Sequence, residues 1–175
     1  AKEKWTEEEL KEAERAISVG AIRYGMLNHD NDKEIVFDLK KWTLGTGNTG
    51  PYLMYACARI NSIAKKVAFP ESVKKEEIDY SVLEQDELAM QILFELSHFQ
   101  MKVQDICENT SPSQLCDYLF SICQLFSKWY ANKDNSIKET KDDQLKAVRL
   151  QFSEAVGRTI KVGVQLLGIT PLERM

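Results

Sequence analysis
The chain has 175 residues, a formal net charge of −4, 43% hydrophobic residues and 29% charged residues. That size suits one domain, able to bury roughly 70% of the surface its unfolded chain exposes, so no disulfide staple is needed. The acidic balance excludes a bulk basic nucleic-acid binder but not local stacking and phosphate contacts, and no apolar run approaches the ~20 residues of a membrane span.

The chain opens at Ala1 in a charged stretch without Met or any visible signal or transit peptide, which is expected of a fragment or a processed form. Thr6 and Glu9 have capping-box spacing, so a first helix should begin at Glu7. Leu10, Ala13, Ile17, Ala21 and Tyr24 continue its apolar stripe to about Asn28. Gly20 and Gly25 each cost ~1 kcal/mol relative to Ala unless they admit a close helix contact. His29 to Lys33 reads as a polar loop. The apolar run Ile35-Val36-Phe37 precedes a brief helix or turn from Phe37 to Trp42.

Gly45, Gly47 and Gly50 then lead into the stretch that dominates the sequence. Thr49 can cap a helix and Pro51 suits its first turn, where a missing N–H has no intrahelical partner. At ~100° per residue, Leu53, Ala56, Ile60, Ile63 and Val67 share an arc that should face a core, and the helix should run to about Phe69, before Pro70. Tyr52, Tyr55 and Arg59 form a second row at the edge of that arc, with Lys65 and Lys66 in the last turns. Two phenols and a guanidinium in one row can stack on bases and hold phosphate. Half-buried packing tyrosines with a solvated arginine would give the same spacing.

Glu71 to Val82 reads as a loop with one helical turn at most. Glu84 to Phe94 is helical, and Glu95 to His98 either continues it or breaks into a second short helix through Ile106. His98, alone among apolar neighbours, is expected to be a hydrogen-bonded packing residue. Ser111-Pro112-Ser113-Gln114 is a helix start, followed by Leu115, Leu119, Ile122, Cys123 and Phe126 on one side as far as Ala131. Phe126 and Tyr130, with Trp129 beside them, are either core or site. Asn132 to Lys138 is a loop. Thr140, Asp142 and Asp143 should start a last helix carrying Leu145, Val148, Phe152, Ala155, Val156, Ile160, Val164 and Leu167, stopped by Gly168. Pro171 to Met175 has the look of a natural terminus. The expected fold is all-α, a single helical bundle over residues 1–175, without repeats.

Catalytic constellations are missing. The sequence has no G-x-x-x-x-G-K-[ST] loop, no H-E-x-x-H helix and no G-x-S-x-G elbow. Cys57, Cys107, Cys116 and Cys123 make no C-x-x-C pair, and only His29 and His98 could assist them, which argues against zinc. Reduced, packed thiols of a cytosolic protein are expected. The chain reads as a binding module, with no cofactor of its own.

Gly20-Ala21-Ile22-Arg23-Tyr24, Phe37-Asp38, the run from Gly47 to Ile60, Leu115-Cys116-Asp117-Tyr118-Leu119, the run from Leu166 to Pro171 and the terminal Glu173-Arg174-Met175 carry a resemblance in order and spacing over nearly the whole chain. They resemble the C-terminal, DALR-type anticodon-binding part of arginyl-tRNA synthetase, with the eukaryotic cytosolic branch closest in flavour.

The resemblance implies the α-helical anticodon-binding domain of a class I synthetase. Its parent enzyme joins arginine to its tRNA using ATP, in a catalytic domain whose HIGH-type and KMSKS-type signatures are not in this chain. The partner implied is arginine tRNA, in the cytoplasm, with a monomer expected and no membrane role. The first helix, residues 1–28, is expected to continue from the catalytic part. Transferred position by position, the anticodon contacts would be Tyr52, Tyr55, Arg59, Phe126, Tyr130 and Met175, shaping a pocket for everted bases. The chain departs from the family pattern at Met54 and Cys57, where Gln and His are common, so a polar contact is expected to be lost there. The alternative is a stand-alone helical module for RNA or protein that kept the fold without a catalytic partner.

Overall fold
The computed structural model describes residues 5–175, so the first four residues of the expected domain lie outside it. Seven α-helices occur among the described residues: α1 (Glu7–Leu27), α2 (Leu39–Trp42), α3 (Gly50–Lys66), α4 (Glu87–Ser97), α5 (Phe99–Asn109), α6 (Pro112–Ala131) and α7 (Asp143–Leu166). Short 3-10 turns at Lys75–Glu77, Tyr80–Gln85 and Lys133–Asn135 fill the longer connections. No strand forms among the described residues, as the 3.6-residue periodicity predicts.

Local chemistry sets most boundaries. The Thr6 hydroxyl accepts from the Glu9 N–H at 3.2 Å while the Glu9 carboxylate accepts from the Thr6 N–H at 2.8 Å, a complete capping box. Thr49 accepts from the Tyr52 N–H at 3.3 Å and donates to the Leu44 carbonyl at 2.6 Å, tying the glycine-rich turn to the start of α3. Gly168 takes a positive φ of 71° at the end of α7, and the Ile169 N–H donates back to the Val164 carbonyl at 2.9 Å.

Several boundaries depart from the sequence reading: α4 starts at Glu87 rather than Glu84, α5 runs to Asn109 rather than Ile106, and two 3-10 turns begin between Glu71 and Val82. α3 stops at Lys66 rather than near Phe69, with Val67 extended. Pro70 bars its predecessor from helical backbone, and the chain leaves the helix ahead of that restriction. α7 is capped by Asp142, whose carboxylate accepts from the Leu145 N–H at 2.8 Å, while Thr140 serves Arg149 instead, accepting from Nη1 at 2.5 Å. The chain breaks at His98, whose Nδ1 lies 2.8 Å from the Phe94 carbonyl, so the hydrogen bond was legible. The ring, however, lies tilted on the exposed Phe94 with centroids 4.3 Å apart, at the surface rather than in the core.

α3 is the hub, packed between α1 and α7 and touching α6, while α6 also packs on α4, α5 and α7. Leu53, Ala56, Ile60 and Ile63 are buried as the arc requires, and Val67, past the helix end, is only partly so. On α6, Leu115, Leu119, Ile122, Cys123 and Phe126 are all buried; on α7, Val148, Phe152, Val156, Ile160 and Val164 are, but Ala155 faces solvent at the stripe's edge. Cys57, Cys116 and Cys123 are packed thiols; burial pushes the first two up to about 12 and the third well above its ordinary value. Cys107 departs from that expectation and is exposed, because α5 buries only Ile106 fully.

The crossing of α1 and α3 is bare backbone. A Cβ added to Gly50 would sit 2.4 Å from the Gly20 carbonyl oxygen, and one added to Gly20 would sit 2.6 Å from Met54 Sδ. The helix propensity lost at Gly20 is therefore exchanged for a close approach no larger residue permits. Tyr24 secures the same junction from within: its buried hydroxyl donates to the Cys116 carbonyl at 3.0 Å and meets the Asn48 amide, whose Nδ2 reaches Asp117 at 3.3 Å. One turn thereby joins α1, α6 and the start of α3.

Candidate nucleic-acid interface
Tyr52, Tyr55 and Arg59 follow the Thr49 cap by three, six and ten residues, so their direction is set by the start of α3. The arc that buries Leu53, Met54 and Cys57 turns this row outward, against the flank of α6. Tyr52 and Arg59 are partly exposed and Tyr55 is 45% exposed. None of the three is sealed in the core.

Each member has a different setting. The Tyr52 ring meets Phe120 edge-on, with centroids 5.6 Å apart at 66°, and its hydroxyl lies 3.5 Å from Ser127 Oγ. The Arg59 guanidinium carbon lies 4.8 Å from the Tyr130 ring centroid, a cation–π distance. Arg59 makes no ion pair with a carboxylate among the described residues, which leaves its N–H donors for an incoming anion. Tyr55, between a braced ring and a braced cation, makes no ring contact or side-chain hydrogen bond among the described residues.

The other three expected contacts fare differently. Tyr130 joins the row through Arg59. Phe126 does not: it is 3% exposed, stacked on Tyr130 at 6.0 Å and 21° and lying 5.7 Å from Trp129. Four-residue spacing puts Phe126 and Tyr130 on one side of α6, yet Phe126 is buried and Tyr130 only partly so. Phe126 is therefore a core support, not a platform a base could reach. Met175 is 44% exposed, yet the tail carrying it is held elsewhere. Asn61 Nδ2 donates to the Glu173 carbonyl at 2.9 Å, Lys65 pairs with the Glu173 carboxylate at 2.6 Å, and Arg174 lies over Trp5 at 4.2 Å and pairs with Glu9 at 2.7 Å. Asn61 is nine residues beyond Tyr52, about 180° around α3. The structure thus brings Tyr52, Tyr55, Arg59 and Tyr130 together, buries Phe126 beneath Tyr130, and ties the tail ahead of Met175 to the opposite side of α3.

The departures at Met54 and Cys57 also resolve physically. Met54 is 0% and Cys57 7% exposed, and both point away from the row. They change the packing of α3 on α1 and α7, not the outward surface. Two residues the sequence reading passed over, Phe120 and Ser127, complete the patch. With Tyr130 they lie seven and ten residues apart on one side of α6, a spacing visible in the sequence but without meaning until α3 lies beside it.

Comparison with known proteins places the chain in a family. The DALR anticodon binding domain family matches residues 53–175. The chain is 36% identical over 174 residues to the arginine–tRNA ligase of Bdellovibrio bacteriovorus, covering 99% of this chain and 29% of that protein. It is 30% identical over 169 residues to the Proteus mirabilis enzyme, covering 97% of this chain and 28% of that one. The arginyl-tRNA synthetase structure from Thermus thermophilus superposes with a TM-score of 0.80 at 26% identity over 94% of this chain and 28% of its own. The Plasmodium falciparum arginyl-tRNA synthetase shares the fold, with a TM-score of 0.80 at 22% identity over 95% of this chain and 28% of its own. The chain therefore spans under a third of the length of the relatives it matches. The sequence relatives are bacterial, so the expected closeness to a eukaryotic cytosolic branch finds no support. An all-helical fold, an outward row of rings and guanidinium, and a family match over more than half the chain lead to one assignment: the chain belongs to the DALR anticodon binding domain family.

Proposed function
We propose that this chain is the anticodon-arm binding domain of an arginine–tRNA ligase, and that Tyr52, Tyr55 and Arg59 receive bases turned out of the anticodon loop. The observation that carries the reading is Tyr55, a ring 45% exposed between two braced neighbours. Unstacked bases lose contacts that an aromatic face replaces at ~1–3 kcal/mol each.

In this reading the chemistry lies outside the chain. ATP and arginine would be used by the catalytic part of the parent ligase, joined through α1, and this domain would position the tRNA rather than react with it. It carries no cofactor of its own. It works in the cytoplasm as part of a monomer, with arginine tRNA as partner. Among the described residues no helix is long and apolar enough to cross a membrane.

The test is binding of the 175-residue chain to the anticodon stem-loop of arginine tRNA, by mobility shift. Tyr55→Ala should weaken binding by ~1–3 kcal/mol, about 5- to 150-fold. Equal affinity for the altered and unaltered chains would refute the assignment of the site. Binding should also weaken with salt as phosphate contacts release counterions.

A further inference from the structure
Tyr130 occupies an unusual place beside the proposed RNA-facing row. Its ring lies against the Arg59 guanidinium at 4.8 Å and is stacked with Phe126 at 6.0 Å and 21°. Phe126 meets Trp129 at 5.7 Å, and Trp129 meets Phe152 of α7 edge-on at 4.7 Å. Trp129 is itself pinned, with Nε1 donating to Asp86 Oδ2 at 2.8 Å, an oxygen that also accepts from Asn135 Nδ2 at 3.2 Å. A continuous series of rings therefore runs from the α7 side of the core to the surface and ends on one cation.

Arginine has a long, rotamer-rich side chain, and ordering it on binding costs about 0.5–1.5 kcal/mol. A guanidinium already resting on a fixed ring has met part of that cost. Its planar fork makes the perch specific, because lysine offers a compact ammonium on a more mobile stem.

We propose that Tyr130 is a positioning residue: it acts on RNA through Arg59, holding the guanidinium over its ring so that the N–H groups face the incoming phosphate or base, and it is not itself a stacking platform. The inference rests on the function proposed above and assigns Tyr130 a role different from the base contact that spacing suggests. Phe126 and Trp129 become the footing of that perch. The phenol hydroxyl has no part in it, so a plain phenyl ring should serve as well.

The test uses the full chain and the anticodon stem-loop of arginine tRNA, with thermal melting recorded for every variant. Tyr130→Leu should weaken binding about two- to fivefold, the range of a surface cation–π contact. Tyr130→Phe should restore unaltered affinity. In an Arg59→Leu background, Tyr130→Leu should cost less than about 1.5-fold more, because the residue it positions is gone. Arg59→Leu should lower the salt slope by about 0.7, one phosphate contact on a single strand, and Tyr130→Phe should leave the slope unchanged. A second series keeps the fold whatever Tyr130→Leu does to it: phenylalanines of rising fluorination at position 130 keep the ring's shape and drain its electron-rich face, so affinity should fall stepwise. Additive losses in the double variant, or affinity indifferent to fluorination, would overturn the proposal while leaving the anticodon reading intact. No binding by the unaltered chain would overturn both.

Discussion

α3 has two faces under opposite constraints. On one face Gly50, Leu53, Met54, Cys57 and Ile60 are buried against α1 and α7, with no space for an added methyl at Gly50. On the other, Tyr52 and Arg59 rest on side chains of α6, Tyr55 stands between them, and all three keep open surface. The first face should answer to stability measurements and the second to binding measurements, and substitutions can separate them.

The largest effect should come from the packed face. Gly50→Ala places a Cβ 2.4 Å from a backbone oxygen, an obstacle that cannot rotate away. It should destabilise the fold by about 1–3 kcal/mol, seen as a lower melting temperature, and RNA binding should fall only as far as the folded fraction does. Tyr55→Ala should show the reverse pattern: the loss of stem-loop affinity given above, with stability changed by less than about 0.5 kcal/mol, as is usual for surface positions. If Gly50→Ala left the melting temperature unchanged, the tight crossing would be wrong. If Tyr55→Ala lowered it sharply, the open face would be wrong.

A smaller effect is expected at Gly25, where an added Cβ would meet the Trp42 ring at 2.3 Å. Trp42 is a partly exposed side chain on the short α2, so it can give way, and alanine gains up to ~1 kcal/mol of helix propensity. Gly25→Ala should therefore shift the melting temperature less than Gly50→Ala and change Trp42 fluorescence.

The smallest effect lies in the tail. The Glu173 carboxyl is held below its ordinary value chiefly by the hydrogen bond from Lys65, with that lysine's charge adding to it. A carboxylate with a lowered folded value contributes fully above its unfolded value, ~4.3, and loses that contribution as pH falls through the folded value. Amide protection in the last residues, taken relative to intrinsic exchange, should thus fall only on acidification below that point. Lys65→Gln should remove this pH dependence while leaving RNA binding at neutral pH untouched, as the opposite-face geometry requires.

Helix boundaries were legible where residues sign them: Thr6 with Glu9, Thr49 with Pro51, Pro112 and Gly168, whereas the expected hydroxyl cap at Ser111 does not form. The Tyr52–Tyr55–Arg59 row was legible because one helix sets it. Residues whose role depends on a partner element were not. Phe126 and Tyr130 share a side of α6, and only the packing of the folded bundle separates the buried ring from the partly exposed one. Met175 lies at the end of a tail whose course is decided by Asn61, Lys65 and Glu9, none of which advertises a tail-binding role in the sequence. Phe120 and Ser127 carry no signal until α3 is laid beside α6.

The glycine junction between α1 and α3 has a mechanical corollary. At Gly50 a carbonyl rests where a side chain would otherwise intervene, so the two helices meet there without a compliant layer, and close-packed interiors transmit strain rather than absorb it. Tyr52 begins two residues beyond that pivot. Any torque applied to α1 should therefore re-aim the tyrosine row as a unit, making α1 a tiller for the surface it does not touch.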